Sequence, residues 1–425
     1  MQQAMDLPSS IAQERQQVYR RTLWVVVIAQ ILGGLGLAAG VAVGALVAED
    51  MLGSARYAGL PSGVFTLGSA GAAMIVGRIS QQRGRRIGLS IGYLAGCIGG
   101  IGVVLAIVAD NPVMLFAAFL VYGSGTSTSL QARYAGTDVA LPSRRGQAVS
   151  TILVATTVGA VAGPNLVSVM GNFAESINMP EYSGPFMLSL TAYAFASLVL
   201  WIFLRPDPLL YARELVAKYP QPVSTMTGGP TAAVLRRRLL LGASVMVITQ
   251  IVMVSIMTMT PVHMKAHGHG LSATGFVIGV HIAGMYMFSP LTGYFVDRFG
   301  RTPLLIAAAA TLPGAGLIAA FAPTDSVPIL AVALGLLGLG WNLGLISGTA
   351  MVTDATRLET RAAVQGQIDV TVALSGAGGG IMSGVIVNAT SYTVLSLIGG
   401  ALALAMIPIM VMAHNASRQT QPVAA

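Results

Sequence analysis

The sequence predicts an all-α membrane protein with twelve transmembrane helices in two pseudo-repeated six-helix halves, and three observations carry that expectation. The chain is 54% hydrophobic and 9% charged, with a mean hydropathy of +0.75, whereas a soluble domain is about a quarter charged. Apolar runs of about twenty residues recur along it, long enough to cross a ~30 Å hydrocarbon layer, where helices satisfy their own backbone. Basic residues fall on alternate connections, and the two halves repeat each other.

In order, the first six spans cover 22–47, 59–77, 88–109, 112–131, 147–170 and 185–204. The second six cover 239–262, 272–294, 302–321, 327–352, 364–387 and 392–412. The chain thus divides into a tail (1–21), a first half (22–204), a longer polar loop (205–238), a second half (239–412) and a tail (413–425). The first apolar run is too long for a cleavable signal and reads as a retained span.

With the N-terminus inside, 21 of the 23 Lys and Arg residues fall on inner segments, and only Arg56 and Lys265 fall outside. By the positive-inside rule both termini face the cytoplasm of a bacterial inner membrane. The net charge of +8 is therefore a topology signal, and no nucleic-acid partner is expected. The partners are the lipid bilayer and a transported solute, the chain acting as a monomer. The single cysteine, Cys97, excludes a disulfide framework and reads as a small buried residue.

The repeat has one offset. Gly84-Arg85 recurs as Gly300-Arg301 (300 − 84 = 216), and Gly77 with Gly293, Thr137-Asp138 with Thr353-Asp354 and Arg20-Arg21 with Arg236-Arg237 keep that offset. Duplicated halves of this kind place a site near the midplane between them.

The loop Gly293-Tyr-Phe-Val-Asp297-Arg298-Phe-Gly300-Arg301 resembles the signature loop of the major facilitator superfamily, G-x-x-x-D-[RK]-x-G-[RK]. The resemblance covers essentially the whole chain and implies the major facilitator fold, with Asp297, Arg298 and Arg301 as inner-gate residues. The first-half copy, Gly77 to Arg85, departs from it by carrying Gln81 at the acidic position, which implies a weaker or rearranged charge relay there. Gly159-x-x-x-Gly163-Pro164 is similar to a motif of proton-coupled drug exporters, and equally reads as a small-residue packing face with a kink.

Spans seven and eight carry Met253-x-x-x-Met257 and His281-x-x-x-Met285. A spacing of four puts each pair on one helix face. Thioether and imidazole together form a soft set suited to Cu(I). These pairs resemble the CcoA-type copper importer branch of the superfamily, which implies copper as the transported ion, with no resident cofactor. Relatives in that branch carry other cargo, riboflavin included. The bland reading is that the methionines fill a core and that His281 bonds a carbonyl. His263, His267 and His269 follow span seven at the outer mouth, as a metal-gathering tract or a plain polar connection.

Other polar residues inside spans are Gln30, the run Ser124 to Gln131, Asn342, Gln367 and Asp369. Asp369 is either a proton-coupling carboxylate or the partner of an arginine, while Asp354, Arg357 and Arg361 read as gate and topology charges. The glycine-rich run 376–380 lacks the Lys-Ser/Thr ending of a phosphate loop, and no catalytic constellation stands out. The chain is read as a secondary-active copper importer and not an enzyme, the alternative being a proton-coupled transporter of a small organic solute such as a drug or a riboflavin-like vitamin.

Overall fold

The structure is a computed structural model that describes residues 8–52, 60–219 and 232–411, so Arg56 and Arg418, counted in the orientation argument, lie outside the described residues. The first half comprises α1 (Ser9–Leu52), α2 (Leu60–Arg83), α3 (Arg85–Val108), α4 (Pro112–Val139), α5 (Arg145–Ser176) and α6 (Ser183–Phe203). A short helix, α7 (Pro208–Lys218), occupies the central connection. The second half comprises α8 (Ala232–Ala266), α9 (Leu271–Tyr286), α10 (Ser289–Phe299), α11 (Arg301–Phe321), α12 (Val327–Ala355), α13 (Arg361–Ala389) and α14 (Tyr392–Leu404). Among the described residues, eleven stretches are long and apolar enough to cross a membrane, and α5, with 32 residues, is of similar length.

Side-chain size explains the orientation of α3. Ile91, Leu94, Ile98, Ile101 and Leu105 form an exposed stripe, whereas Leu89, Tyr93, Gly96, Gly100 and Val103 are buried. Large apolar groups face outward and small ones permit close helix approach, the reverse of a soluble helix. Helix starts follow local chemistry: Asn111 accepts Met114 N–H at 3.0 Å ahead of Pro112, and Ser391 accepts Val394 N–H at 3.2 Å.

Several boundaries differ from the sequence reading, among them the end of the fourth span, where α4 runs on to Val139. Helix α1 begins at Ser9, within the expected tail, and α8 begins at Ala232, so Arg236 to Arg238 are helical. The eighth span is not continuous but breaks at Met287–Phe288 into α9 and α10. Pro290 lacks the N–H that would bond the carbonyl of Tyr286, and its ring crowds that turn. Asn342 on α12 repairs the break, donating to Met285 O at 2.6 Å and to Ser289 Oγ at 2.7 Å.

The halves cross twice, and the two crossings are equivalents in the repeat. A Cβ on Gly77 would lie 2.9 Å from Gly366 Cα on α13, and one on Gly293 would lie 2.6 Å from Gly146 O on α5. Both contacts are with backbone, so neither crossing admits a side chain. Gly84 and Gly300, with φ of 92° and 93°, turn α2 into α3 and α10 into α11, a conformation that glycine adopts without strain.

Candidate functional site

At the arginine-rich end, each half contributes an aspartate that bridges two arginines, one from each half. Asp138 accepts Arg85 Nε at 2.8 Å from its own half and faces Arg361 Nη1 at 3.7 Å across the interface. Asp354 accepts Arg301 Nε at 2.9 Å from its own half and pairs with Arg145 across it. All six residues obey the offset of the repeat, so this is one device used twice.

Two helix caps complete it. Asp297 accepts the N–H groups of Gly146 and Gln147 at the start of α5, at 2.9 and 2.8 Å. Gln81 accepts those of Ala362 and Ala363 at the start of α13, at 2.7 and 3.4 Å. The first-half loop thus keeps the cap with a neutral amide, and the amide nitrogen also donates to Leu358 O at 3.3 Å and to Glu359 O. On α7, Arg213 donates to Gln81 O at 3.0 Å and Leu358 O at 3.2 Å, tying the central segment to both halves. Arg298, expected in the gate, is exposed and apart from this cluster, against Tyr294 and Phe299.

Deeper in the bundle lies a second cross-half pair. Arg133 Nη2 on α4 is 2.6 Å from Asp369 Oδ1 on α13, with both side chains at least nine-tenths buried. Tyr134 OH donates to the same oxygen at 3.3 Å, and Arg133 Nε donates to Thr349 Oγ1 at 3.2 Å. Asp369 Oδ2 has no hydrogen-bond partner among the described residues. Helical rise puts Asp369 ~12 Å inward from the start of α13. One turn nearer the gate on α13, Gln365 receives Arg85 Nη2 and donates to Thr353 Oγ1 at 3.2 Å, which joins it to the Arg85–Asp138 pair. Unlike the gate, the deep pair breaks the repeat: its equivalents at the same offset are Thr349 and Leu153.

In the second half, Trp341 Nε1 donates to Gln250 Oε1 at 2.8 Å, and Tyr286 meets Trp341 edge-on at 5.8 Å between ring centroids.

The four expected soft ligands all lie in the second half, Met253, Met285 and Met257 in or against one apolar cluster. His281 is fully buried and its Nδ1 lies 2.9 Å from Leu334 O on α12, leaving Nε2 without a partner among the described residues. Met285, 9% exposed, follows on that α12-facing side, where a Cβ on Gly338 would come within 2.9 Å of Met285 N. Met253 is 4% exposed and lies in the second half's apolar core, with Met257 against its edge. Helix α9 packs along α12 and meets α8 at few positions. At the opposite end of the bundle from the gate, His263 and His267 rings lie 4.4 Å apart with His263 stacked on Tyr392, while His269 Nε2 turns away to Thr324 O at 2.7 Å. Among the described residues no three His, Cys, Asp or Glu side chains form a metal-sized group.

The remaining polar residues mostly tie helices together. Gln30 on α1 donates to Ser129 Oγ at 2.8 Å and Thr156 Oγ1 at 2.9 Å, and Gln131 donates to Ala73 O at 2.6 Å. Gln367 is exposed. Sequence reasoning missed the role of Arg133, because the fourth span was ended at Gln131 while α4 continues to Val139. It also missed Gln250 and Trp341, two ordinary residues that become a pair only through packing of α8 on α12. A charge two residues past a drawn span end was the available signal for Arg133.

Two equivalent six-helix units, joined at one end by a duplicated charge gate and deeper by an ion pair, define a membrane carrier rather than an enzyme. The family model described as Major Facilitator Superfamily matches residues 26–379 and 266–423. The chain belongs to the major facilitator superfamily. It is 56% identical to the uncharacterized MFS-type transporter YdeG of Bacillus subtilis (strain 168), over 95% of this chain and 94% of that one. It is 28% identical to the riboflavin transporter RfnT of Brucella anthropi, over 92% and 95% of the two chains. Its fold matches the proton:xylose symporter XylE bound to 6-bromo-6-deoxy-D-glucose with a TM-score of 0.73 at 15% identity, covering 94% of this chain and 96% of that one. The protein is thus a multi-pass secondary transporter.

Proposed function

We propose that this transporter couples a proton to the movement of a small organic solute across the inner membrane, with Asp369 as the protonated group. The supporting observation is the buried Arg133–Asp369 pair, which joins the halves and has no counterpart in the repeat. Stability does not explain such a pair: replacing a buried ion pair with apolar groups is often neutral or stabilising, by ~1–4 kcal/mol. A proton on Asp369 neutralises it and frees Arg133 as a charge-assisted donor to the solute. The same event removes one tie between the halves, which part at the arginine-rich end, the cytoplasmic side by the positive-inside rule.

The relative named as a riboflavin transporter supports vitamin uptake over drug efflux. The copper reading draws support from one feature, the Nε2 of His281, unpartnered among the described residues. Against it, His281 Nδ1 is engaged by Leu334 O on α12, and α9, which carries His281 and Met285, meets α8 at few positions. None of the relatives given above is named for copper.

The test is uptake of labelled riboflavin by proteoliposomes under an imposed pH gradient. Asp369→Asn is expected to abolish gradient-driven accumulation while preserving exchange of internal for external solute. Accumulation by Asp369→Asn at the wild-type level would overturn the proton role, and absence of any riboflavin movement by wild type would overturn this cargo.

A further inference from the structure

Beside the gate lies a cavity of about 90 Å³, whose lining includes Arg15, Arg145, Arg361, Asp138, Tyr211 and Leu358. Space of that size admits several waters or one tetrahedral oxyanion. Three elements aim guanidinium groups at it. Arg15 on α1 is held by Val139 O at 3.0 Å and Ala140 O at 3.2 Å. Arg145 opens α5 and Arg361 opens α13, their side chains 12% and 6% exposed.

The charges here do not balance. Arg15, Arg85, Arg145, Arg301 and Arg361 face Asp138, Asp297 and Asp354, five cations against three anions. Arg145 Nε and Arg361 Nε have no hydrogen-bond acceptor among the described residues, and Asp138 stands 3.7 Å from Arg361, beyond hydrogen-bond length. Glu14 and Glu214, both exposed, lie near the Tyr211 phenol, and Glu214 is paired with Lys218 at 2.7 Å. The Arg145 and Arg361 guanidinium groups each keep one buried donor unsatisfied while their other nitrogens pair with Asp354 or donate to Thr356 O. An unsatisfied buried donor is costly, and donors converging from several sides suit an oxyanion with acceptors on every face.

We propose that this cavity binds a phosphate group, bridging Arg15 and Arg145 of the first half to Arg361 of the second and thereby holding the arginine-rich end closed. Its regulatory consequence rests on the gate reading above, whereas the binding itself does not. The phosphate belongs either to a free anion or to an anionic lipid headgroup, since the chemistry at the arginines is the same.

The full-length protein, in detergent without anionic lipid, is titrated with inorganic phosphate against chloride at equal ionic strength. Binding is followed by phosphorus NMR line broadening, and closure by hydrogen exchange at the amides of 146–150 and 362–366. Wild type is expected to broaden the signal and to slow exchange at both segments. Arg15→Gln spares the cross-half ion pairs and is expected to weaken binding about tenfold, the loss of one charge-assisted donor. The exposed Arg298→Gln is the control and is expected to bind as wild type does. Equal responses to phosphate and chloride, or an undiminished response in Arg15→Gln, would overturn the site.

Nanodiscs separate the sources. In phosphatidylcholine alone, a free-anion site still responds to added phosphate. With phosphatidylglycerol present, a headgroup site is already protected and no longer broadens the phosphate signal. Either pattern upholds the oxyanion site, and protection in neither membrane refutes it. No readout requires transport, so failure of the proton-coupled reading and failure of this one are separable.

Discussion

Gln81 and Asp297 occupy equivalent places in the two halves, and each caps the helix that opens the fifth position of the other half. The carboxylate at α5 carries charge into the cap and the amide at α13 does not, so one crossing of a two-fold gate is held by a charged acceptor and the other by a neutral one. The amide also donates across the interface to Leu358 O and Glu359 O, which a carboxylate cannot do.

Removal of that cap is expected to open one crossing selectively. Gln81→Leu strips the acceptor from Ala362 and Ala363 at a cost of ~1 kcal/mol, about a fivefold shift toward the open end. Hydrogen exchange resolved by residue checks this: the start of α13 accelerates while that of α5 changes less.

Crowding a crossing is a harsher test of the same gate. Gly77 meets backbone of α13, so Gly77→Val forces the helices apart rather than turning a side chain aside. Ser150, 1% exposed at the other crossing, supplies the reporter. Ser150→Cys is expected to resist maleimide alone and to react in combination with Gly77→Val.

The deep ion pair separates stability from function. Arg133→Leu leaves Asp369 buried without its partner, at an expected cost of ~3–5 kcal/mol, whereas Arg133→Leu with Asp369→Leu recovers most of it. Thermal unfolding of the purified variants measures this, and both are expected to be inactive in solute uptake.

Asn342 is expected to be a structural residue at the broken eighth span. Asn342→Leu leaves the Met285 carbonyl without its donor, costing ~1–3 kcal/mol, and lowers the melting temperature.

Copper distinguishes the two cargo readings. With an organic cargo, cells expressing His281→Ala and wild type at equal membrane abundance accumulate the same copper. A loss confined to the variant would restore the soft-ligand reading.

Much of the architecture was legible in the residues themselves. Membrane insertion requires long apolar runs, positive residues record orientation, and a duplicated gene leaves a constant offset, so the two halves and most spans could be read along the chain. Asp297 and Arg301 were legible because their loop is local. Gln81 was read as a departure, and only its place against α13 revealed that the cap survives the substitution.

What tertiary structure alone decided is which side chains meet between helices distant in the chain. Four-residue spacing places Met253 with Met257 and His281 with Met285, but it cannot give the rotation of α8 against α9, and packing turned His281 toward α12. The Arg133–Asp369 pair spans 236 residues of sequence. Periodicity fixes the face of a single helix; a contact between two helices depends on how their surfaces interlock, and that depends on every side chain along the crossing.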